Sequence, residues 1–298
     1  MIDEAAPDGM AGSWDTNRGV AELSDMADPL AVQRHGLVAA LVARNPGLPA
    51  VIAQHRYARL EGLLASEHAG GARRLSLRTA AFFAQIPDAA RADYICGFIL
   101  ALGGSLQRRF ARSGLPADCL HRYRAAFSRM FDEMAEGTFV ADPRSAVCVQ
   151  DMALATLTLV PGAALLYRPG VAIGPRRLLR AGPGVWAKVW QAGGRSRFLE
   201  QHVDARMPAS DLEPCGFEDS LALAAQLLGA DPRLRGICGK AWFYDPAAGR
   251  ISPQLAFLHD IPAARGAVFF RIGPEAGTDQ PCRHGLIWPR AAVLKHYG

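Results

Sequence analysis

Two segments, Phe198-Leu-Glu-Gln-His-Val-Asp-Ala-Arg206 and Gly239-Lys-Ala-Trp-Phe-Tyr-Asp-Pro246, carry most of the information about the fold. In the first segment, alternate residues lie on opposite faces of a predicted strand. One face is mainly polar and holds Phe198, Glu200, His202 and Asp204, whereas the other holds Leu199, Gln201 and Val203. The second segment belongs to a predicted strand over residues 237–245, whose one side holds Cys238, Lys240, Trp242 and Tyr244.

Between these strands, an apolar stripe at helical spacing begins at Phe217 and ends before Asp231-Pro232, so it predicts a helix. A short helix is predicted from Ile251-Ser252-Pro253 to His259, and a further strand over residues 267–272. Upstream, short apolar runs punctuated by Pro and Gly predict extended segments at residues 152–160, 164–167, 171–173 and 185–190. The carboxy-terminal half is therefore predicted to be a sheet whose strands are connected by helices.

The amino-terminal half shows helical periodicity instead. Its clearest stripe consists of Leu120, Tyr123, Phe127, Met130 or Phe131, and Met134. Further helices are predicted over residues 30–43, 48–66 and 88–113, and residues 1–28 form a predicted loosely ordered arm. The sequence thus predicts an α+β protein, with a helical domain at 29–137 packed on a mixed β-sheet domain at 138–298.

The composition argues against several classes of protein. The net charge of +5 comes mainly from arginine. A nucleic-acid groove would need a continuous basic block with interleaved aromatic residues, and the sequence contains no such block. The longest apolar runs, residues 95–103 and 152–167, are too short or are interrupted by Pro161, so no membrane span is predicted. The acidic amino terminus does not resemble a secretory signal. We expect a cytoplasmic protein that acts on a small molecule; its oligomeric state stays open.

Metal and disulfide scaffolds are not expected either. The six cysteines form no Cys-x-x-Cys pair, and the histidines of the helical half lack paired ligand spacing. Free thiols and no bound metal are the prediction.

The order strand, loop, helix, strand, helix and strand over residues 185–272 resembles the cofactor-binding half of the GNAT acyl-CoA N-acyltransferases. Ser220 and the Cys238-Gly-Lys-Ala-Trp-Phe-Tyr-Asp-Pro246 element are similar to a Ser-containing helix and a Cys-x-Ser-Trp-Leu-Leu-Asp-Pro element of bacterial GNAT-like proteins. The resemblance implies a sheet of GNAT-like order and an acyl-CoA donor held where two central strands splay apart. An amine acceptor would attack the thioester carbonyl with the help of a general base.

The resemblance also implies roles for particular residues. His202 or Asp204 is the candidate base, and Tyr244 is the candidate acid that protonates the leaving thiolate. The substrate-binding candidates are Arg206, Trp242 and Asp245, with the Trp242 ring as an aromatic wall. No residue is assigned to CoA itself.

Two features depart from the family pattern. The usual pyrophosphate loop, Gln/Arg-x-x-Gly-x-Gly/Ala, is missing because residues 206–210 contain no glycine. In addition, Glu218 and Asp219 lie in the first turn of the following helix, where they repel a phosphate. One alternative is therefore a non-catalytic binding protein on a degenerate GNAT-like fold.

The motif His202-Val203-Asp204 raises a second alternative, because non-haem Fe(II) oxygenases hold iron with His-x-Asp and a later histidine. His284 or His259 would be the third ligand, and Arg290 or Arg265 would bind a co-substrate carboxylate. This alternative requires strands between the ligands, whereas residues 217–229 predict a helix, so acyl transfer ranks first.

Overall fold

The computed structural model describes residues 29–66, 74–175, 182–191, 193–207, 212–273 and 283–298. The predicted arm at residues 1–28 lies outside the described residues. The amino-terminal half is built from helices that pack into one bundle. They are α1 (Pro29–Arg44), α2 (Leu48–Gln54), α3 (Tyr57–Ala65), α4 (Leu77–Ala84), α5 (Asp88–Gly103), α6 (Leu106–Ser113), α7 (Cys119–Glu136) and α8 (Ala146–Ala155).

Three segments of this half differ from the sequence prediction. The segments 48–66 and 88–113 each contain two helices, and the second pair, α5 and α6, is bent by 67°. Residues 152–160 were expected to be extended, but α8 continues to Ala155. Every residue from Cys148 to Ala155 is buried. An apolar run buried on all sides has no distinctive period, so periodicity cannot separate a strand from a helix there.

The carboxy-terminal half forms one mixed sheet in the order β1-β2-β3-β4-β6-β5. Its strands are β1 (Val160–Pro161), β2 (Leu165–Val171), β3 (Phe198–Val203), β4 (Gly236–Ala241), β5 (Val268–Gly273) and β6 (Arg283–Pro289). Neighbouring strands run antiparallel except β3 and β4, which are parallel. The parallel pair lies in the middle of the sheet.

Helices connect the strands of this half. They are α9 (Pro183–Gln191), α10 (Pro214–Ala230), α11 (Ala248–Ile251), α12 (Phe257–Ala264) and α13 (Arg290–Tyr297), with 3₁₀ turns at Trp242–Tyr244 and Pro253–Leu255. The extended segment expected at residues 185–190 is wrong, because α9 is a helix that buries Val185 and Val189, four residues apart. The predicted order strand, helix, strand, helix, strand from β3 to β5 is confirmed.

One large hydrophobic core joins the two halves. It contains residues of the helical bundle, such as Phe98 and Phe127, together with Leu199 of β3 and Leu221 of α10. A smaller cluster on the other face of the sheet contains Phe198 and packs beneath α9. The predicted fold class, an α+β protein with amino-terminal helices packed on a carboxy-terminal mixed sheet, is confirmed.

Within the described residues, no single helix is long and apolar enough to cross a membrane. Two sharply bent pairs, α1 with α2 and α5 with α6, meet the length and composition test only when each pair is taken together.

Candidate functional site

The two parallel strands pair over a short distance and then separate. Leu199 pairs with Ile237 and Glu200 with Cys238, and no further pair between β3 and β4 occurs in this described region. The carboxyl-terminal parts of the strands, residues 201–203 and 239–241, therefore lie beyond the paired region, and we call the place between them the strand gap. In sheets with parallel strands, the carboxyl ends of such strands are the usual place for a ligand.

Gln201 and Tyr244 meet in the strand gap. The Gln201 Nε2 atom donates a hydrogen bond to the Tyr244 hydroxyl, and both side chains are buried. Gly239 makes room for this contact, because a Cβ atom there would lie 2.9 Å from Gln201 Cγ and 3.1 Å from the Tyr244 hydroxyl oxygen. Burial raises the pKa of Tyr244 far above its usual value, so the hydroxyl keeps its proton at neutral pH.

One polar atom of this pair is unsatisfied. The Gln201 Oε1 atom is buried and has no hydrogen-bond partner among the described residues. A buried amide group without a full set of partners is unfavourable, and it marks a place where a ligand or water fits. The strand gap therefore offers one protonated hydroxyl and one open amide group.

His202 and Glu200 form a second pair on the opposite face of β3. The His202 Nε2 atom lies 3.1 Å from Glu200 Oε2, and the two side chains are only 10% and 9% exposed. The shared face of Phe198, Glu200 and His202 agrees with the predicted alternation. Asp204 does not continue it, because β3 ends at Val203 and Asp204 lies in the following turn.

The pKa values of His202 and Glu200 both lie below the usual values of these groups. Burial lowers the pKa of His202 and outweighs the opposing effect of Glu200, and the nearby charges of Arg168 and Lys240 lower it further. Burial would raise the pKa of Glu200, but the hydrogen bond from His202 and the neighbouring positive charges lower it to about 2. At neutral pH, Glu200 is thus an anion beside a neutral imidazole.

This charge state determines the tautomer of His202. An ionised carboxylate only accepts hydrogen bonds, so the proton of the neutral ring is on Nε2 and points to Glu200. The Nδ1 atom then carries the lone pair, and it has no hydrogen-bond partner among the described residues. His202 is therefore oriented as a base whose acceptor atom is Nδ1.

The turn after β3 is bound tightly to the helical bundle. The Asp204 Oδ1 atom accepts a hydrogen bond of 2.9 Å from the Arg206 backbone N–H. The Arg206 guanidinium binds Asp151, whose side chain is fully buried in α8, and Glu133 of α7. Asp204 and Arg206, predicted as a base and as a substrate-binding residue, are thus both occupied by contacts within the chain.

Gln150 of α8 strengthens the same connection. Its Nε2 atom donates to the Val203 carbonyl at 3.0 Å, and its Oε1 atom accepts from the Ala205 N–H at 2.6 Å. These bonds satisfy backbone groups at the end of β3 and in the turn that follows it. Sequence reasoning missed Gln150 and Asp151, since nothing in their local pattern indicates a contact with residues more than fifty positions away.

Trp242 and Asp245 lie beyond the end of β4. The strand expected up to residue 245 is wrong, because β4 ends at Ala241 and Trp242–Tyr244 forms a 3₁₀ turn. The half-buried Trp242 ring packs edge-on against Phe243, with 5.9 Å between the ring centroids. Asp245 accepts a hydrogen bond from the Ala247 N–H, and its Oδ2 atom lies 3.6 Å from His284 Nδ1.

The contacts of the three histidines that were considered as iron ligands do not favour an iron site. His202 pairs with Glu200, His259 with Asp260, and His284 with Asp245. Among the described residues, no group of three or more His, Cys, Asp or Glu side chains can hold a metal ion. The proposed carboxylate-binding arginines also have internal partners: Arg265 binds Glu218, and Arg290 binds backbone carbonyls at the end of α10. The Fe(II) interpretation is therefore not supported.

Ser220, part of the resemblance described above, has a structural contact set. Its buried Oγ atom accepts hydrogen bonds from the backbone N–H groups of residues 163, 164 and 165, and it donates to the Gly216 carbonyl. It fixes α10 to the connection between β1 and β2.

Comparisons with known proteins give one structural likeness. Neither protein-family models nor curated proteins match the sequence. Among solved structures, the chain is similar to a crystal structure of an acyltransferase in complex with decanoyl-CoA, with 16% sequence identity and a TM-score of 0.46. The alignment covers 83% of this chain and 80% of that chain. The assignment of a site to this chain therefore rests on its own strand order and on the separation of β3 from β4.

Proposed function

We propose that this protein transfers an acyl group from an acyl-CoA thioester to the amine of a small molecule. The observation that carries the proposal is the strand gap between β3 and β4, which opens beyond the Glu200 and Cys238 pair. Backbone polar groups that face such a gap need partners. An extended donor that contains amide groups can pair with them as an additional strand does.

In this proposal the thioester lies beside Gln201 and Tyr244. The protonated Tyr244 hydroxyl donates its proton to the sulfur as the carbon–sulfur bond breaks. The open amide group of Gln201 binds a polar atom of the donor. Both side chains are buried, so they need little rearrangement to bind the donor.

The acceptor amine would approach from the face that holds His202. The Nδ1 atom of His202 accepts the amine proton as the nitrogen attacks the carbonyl carbon, and the Glu200 carboxylate stabilises the imidazolium that forms. His202 is the proposed base rather than Asp204, whose carboxylate closes the turn to Arg206. Trp242 and Asp245, beyond the end of β4, are the proposed contacts for the acceptor.

Binding and turnover can be tested separately. Thermal shift with CoA and acyl-CoA thioesters of increasing chain length measures binding, because a ligand of the native state raises the melting temperature by mass action. Release of free thiol with a panel of small amines measures turnover. No shift at millimolar thioester contradicts the proposal, whereas a shift without turnover for any amine favours the non-catalytic binding protein.

A matched pair of variants tests Tyr244. Tyr244→Phe removes the proposed acid, and Tyr123→Phe removes another buried hydroxyl, which donates to the Leu159 carbonyl far from β4 in sequence. We expect both variants to lose some stability, but only Tyr244→Phe to lower kcat, by about 100-fold or more. Equal kcat values in the two variants would exclude Tyr244 as the acid.

A further inference from the structure

A cleft of about 650 Å³ lies at the end of the sheet opposite the strand gap. Its walls include Arg197, Arg233, Arg235 and Arg290, and we call it the arginine cleft. Arg197 and Arg235 immediately precede β3 and β4, so they lie at the amino ends of the parallel strands. The strand gap lies at their carboxyl ends, about 15–20 Å away along six residues of strand.

The charge of the arginine cleft is strongly unbalanced. Four of its lining side chains are arginines, and none of the described lining residues is acidic. Asp231 is the nearby carboxylate, and it binds Arg233 through two hydrogen bonds, at 2.8 and 3.0 Å. The side chains that line the cleft in the described part of the chain are therefore positive on balance, and the local field attracts anions.

The backbone holds three of these arginines side by side. The Arg235 N–H donates to the Arg197 carbonyl at 2.8 Å, and the Arg290 N–H donates to the Arg235 carbonyl at 2.9 Å. Arg197 has a φ of +66°, a conformation that residues with side chains adopt rarely. The hydrogen bonds align the starts of β3 and β4 with the end of β6, so the three arginines are fixed relative to one another.

The side chain of Arg290 is also rigid. Its Nη1 atom donates to the carbonyls of Leu228, Asp231 and Leu234 at the end of α10. By contrast, the exposed Arg197 side chain makes no hydrogen bond or ion pair with the described residues. The cleft thus contains the Arg290 guanidinium, which is held in place, and at least one guanidinium that is available for a ligand.

We propose that the arginine cleft binds a small molecule that carries a di- or triphosphate group. Guanidinium groups bind phosphate oxygens in pairs, and several arginines in a row match an anion whose charge is spread along a chain. The volume lies in the range of small-molecule sites. This site goes beyond the proposed acyl transfer, because it uses other residues at the other end of the strands.

Inorganic pyrophosphate is the probe for this site, measured by isothermal titration calorimetry on the full chain in 0.15 M salt. Arg197→Gln and Arg233→Gln each remove one exposed guanidinium of the cleft. Arg144→Gln is the matched control, because Arg144 is also exposed and its substitution removes the same charge outside the cleft. We expect each cleft variant to weaken pyrophosphate binding by about 10- to 100-fold and the control to leave it unchanged.

Two further measurements test whether the site prefers a diphosphate and whether it is separate from the strand gap. Sulfate at matched ionic strength should bind at least about tenfold more weakly than pyrophosphate, since one dianion contacts fewer arginines. Saturating S-acyl-pantetheine, which carries the thioester but no phosphate group, should leave pyrophosphate binding in place. Absence of pyrophosphate binding, an equal loss in Arg144→Gln, or equal binding of sulfate would overturn the proposal. None of these outcomes bears on whether the strand gap binds a phosphate-free acyl thioester, so the two proposals fail independently.

Discussion

His202 Nε2 lies 3.1 Å from Glu200 Oε2, on the face of β3 opposite the one where Gln201 contacts Tyr244. The separation of β3 from β4 is the place where groups on the two faces of the sheet can approach one substrate. In the proposed mechanism, a base on one face and an acid in the gap act on opposite sides of a reacting carbonyl. This division of polar groups is the central feature of the proposed site.

The His202 pair predicts a specific titration. The pKa of His202 is lower in the folded protein than its unfolded value of about 6.5. In the interval between these values the unfolded state binds more protons, so the free energy of unfolding decreases as the pH falls below about 6.5. NMR titration of the His202 ring should show protonation only below pH 6.5, and His202→Gln should remove this part of the pH dependence.

Glu200→Gln gives the matched control for that titration. Without the carboxylate, the stabilisation of the imidazolium is lost, so the pKa of His202 should fall further. A rise of the His202 pKa in Glu200→Gln, or an unchanged value, would contradict the hydrogen-bonded pair.

Asp151 predicts a large effect on stability. Its fully buried carboxylate binds both Arg129 and Arg206, so Asp151→Asn leaves the two guanidinium groups with Glu133 as their remaining shared carboxylate. We expect the free energy of unfolding to decrease by about 3–5 kcal/mol in urea denaturation. Asp88→Asn, which removes an exposed partner of Arg91, should change it by less than about 0.5 kcal/mol. Similar values for the two variants would contradict a structural role of Asp151.

The secondary structure was predictable from the sequence where apolar residues recur with a single clear spacing, either that of a strand or that of a helix. The polar and apolar faces of β3 alternate through His202, because each face is buried against different partners. In α9, by contrast, β-branched and aromatic residues favoured a strand, although the four-residue spacing of Val185 and Val189 fits the helix that forms. Local propensity was outweighed there by packing on the sheet.

The contacts of the candidate site were predictable only in part. Residue type and position indicate His202 and Tyr244 as candidates, and their catalytic roles stay predictions. The residues that they contact, Glu200 and Gln201, lie next to His202 in the same strand. The contacts of Arg206 could not be predicted, because its partners Glu133 and Asp151 are far away in the sequence. Such contacts depend on how the bundle packs on the sheet, which a single sequence does not encode in any local pattern.

Ser220 predicts a second large loss of stability. Ser220→Ala removes the acceptor for three backbone N–H groups in a buried region. Buried donors without partners cost about 1–3 kcal/mol each, so we expect a decrease of at least about 2 kcal/mol in the free energy of unfolding. Ser66→Ala removes an exposed hydroxyl that only donates to the Leu63 carbonyl, and it is the control with little expected effect. A loss in Ser220→Ala no larger than in the control would mean that water replaces the hydroxyl.

The close packing of Gln201 and Tyr244 around Gly239 predicts that a larger residue at position 239 destabilises the protein. In Gly239→Ala the new Cβ would lie 2.9 Å from Gln201 Cγ and 3.1 Å from the Tyr244 hydroxyl oxygen, so both side chains must move. We expect a loss of about 1–3 kcal/mol in the free energy of unfolding, as for other overpacked sites. Gly36→Ala is the matched control, because no atom lies within 4 Å of its added Cβ on helix α1. There we expect a gain of about 0.5–1 kcal/mol from helix propensity.

The double variant Gly239→Ala/Tyr244→Phe distinguishes overpacking in the strand gap from a general effect of alanine in β4. Phe at position 244 removes the hydroxyl that the new methyl group would approach, so part of the overpacking should be relieved. The double variant should then be less destabilised than the sum of the two single variants, by about 0.5 kcal/mol or more in a double-mutant cycle. Strict additivity would show that Gly239 and Tyr244 do not share the strand gap, and the donor site proposed between the strands would lose its geometric basis.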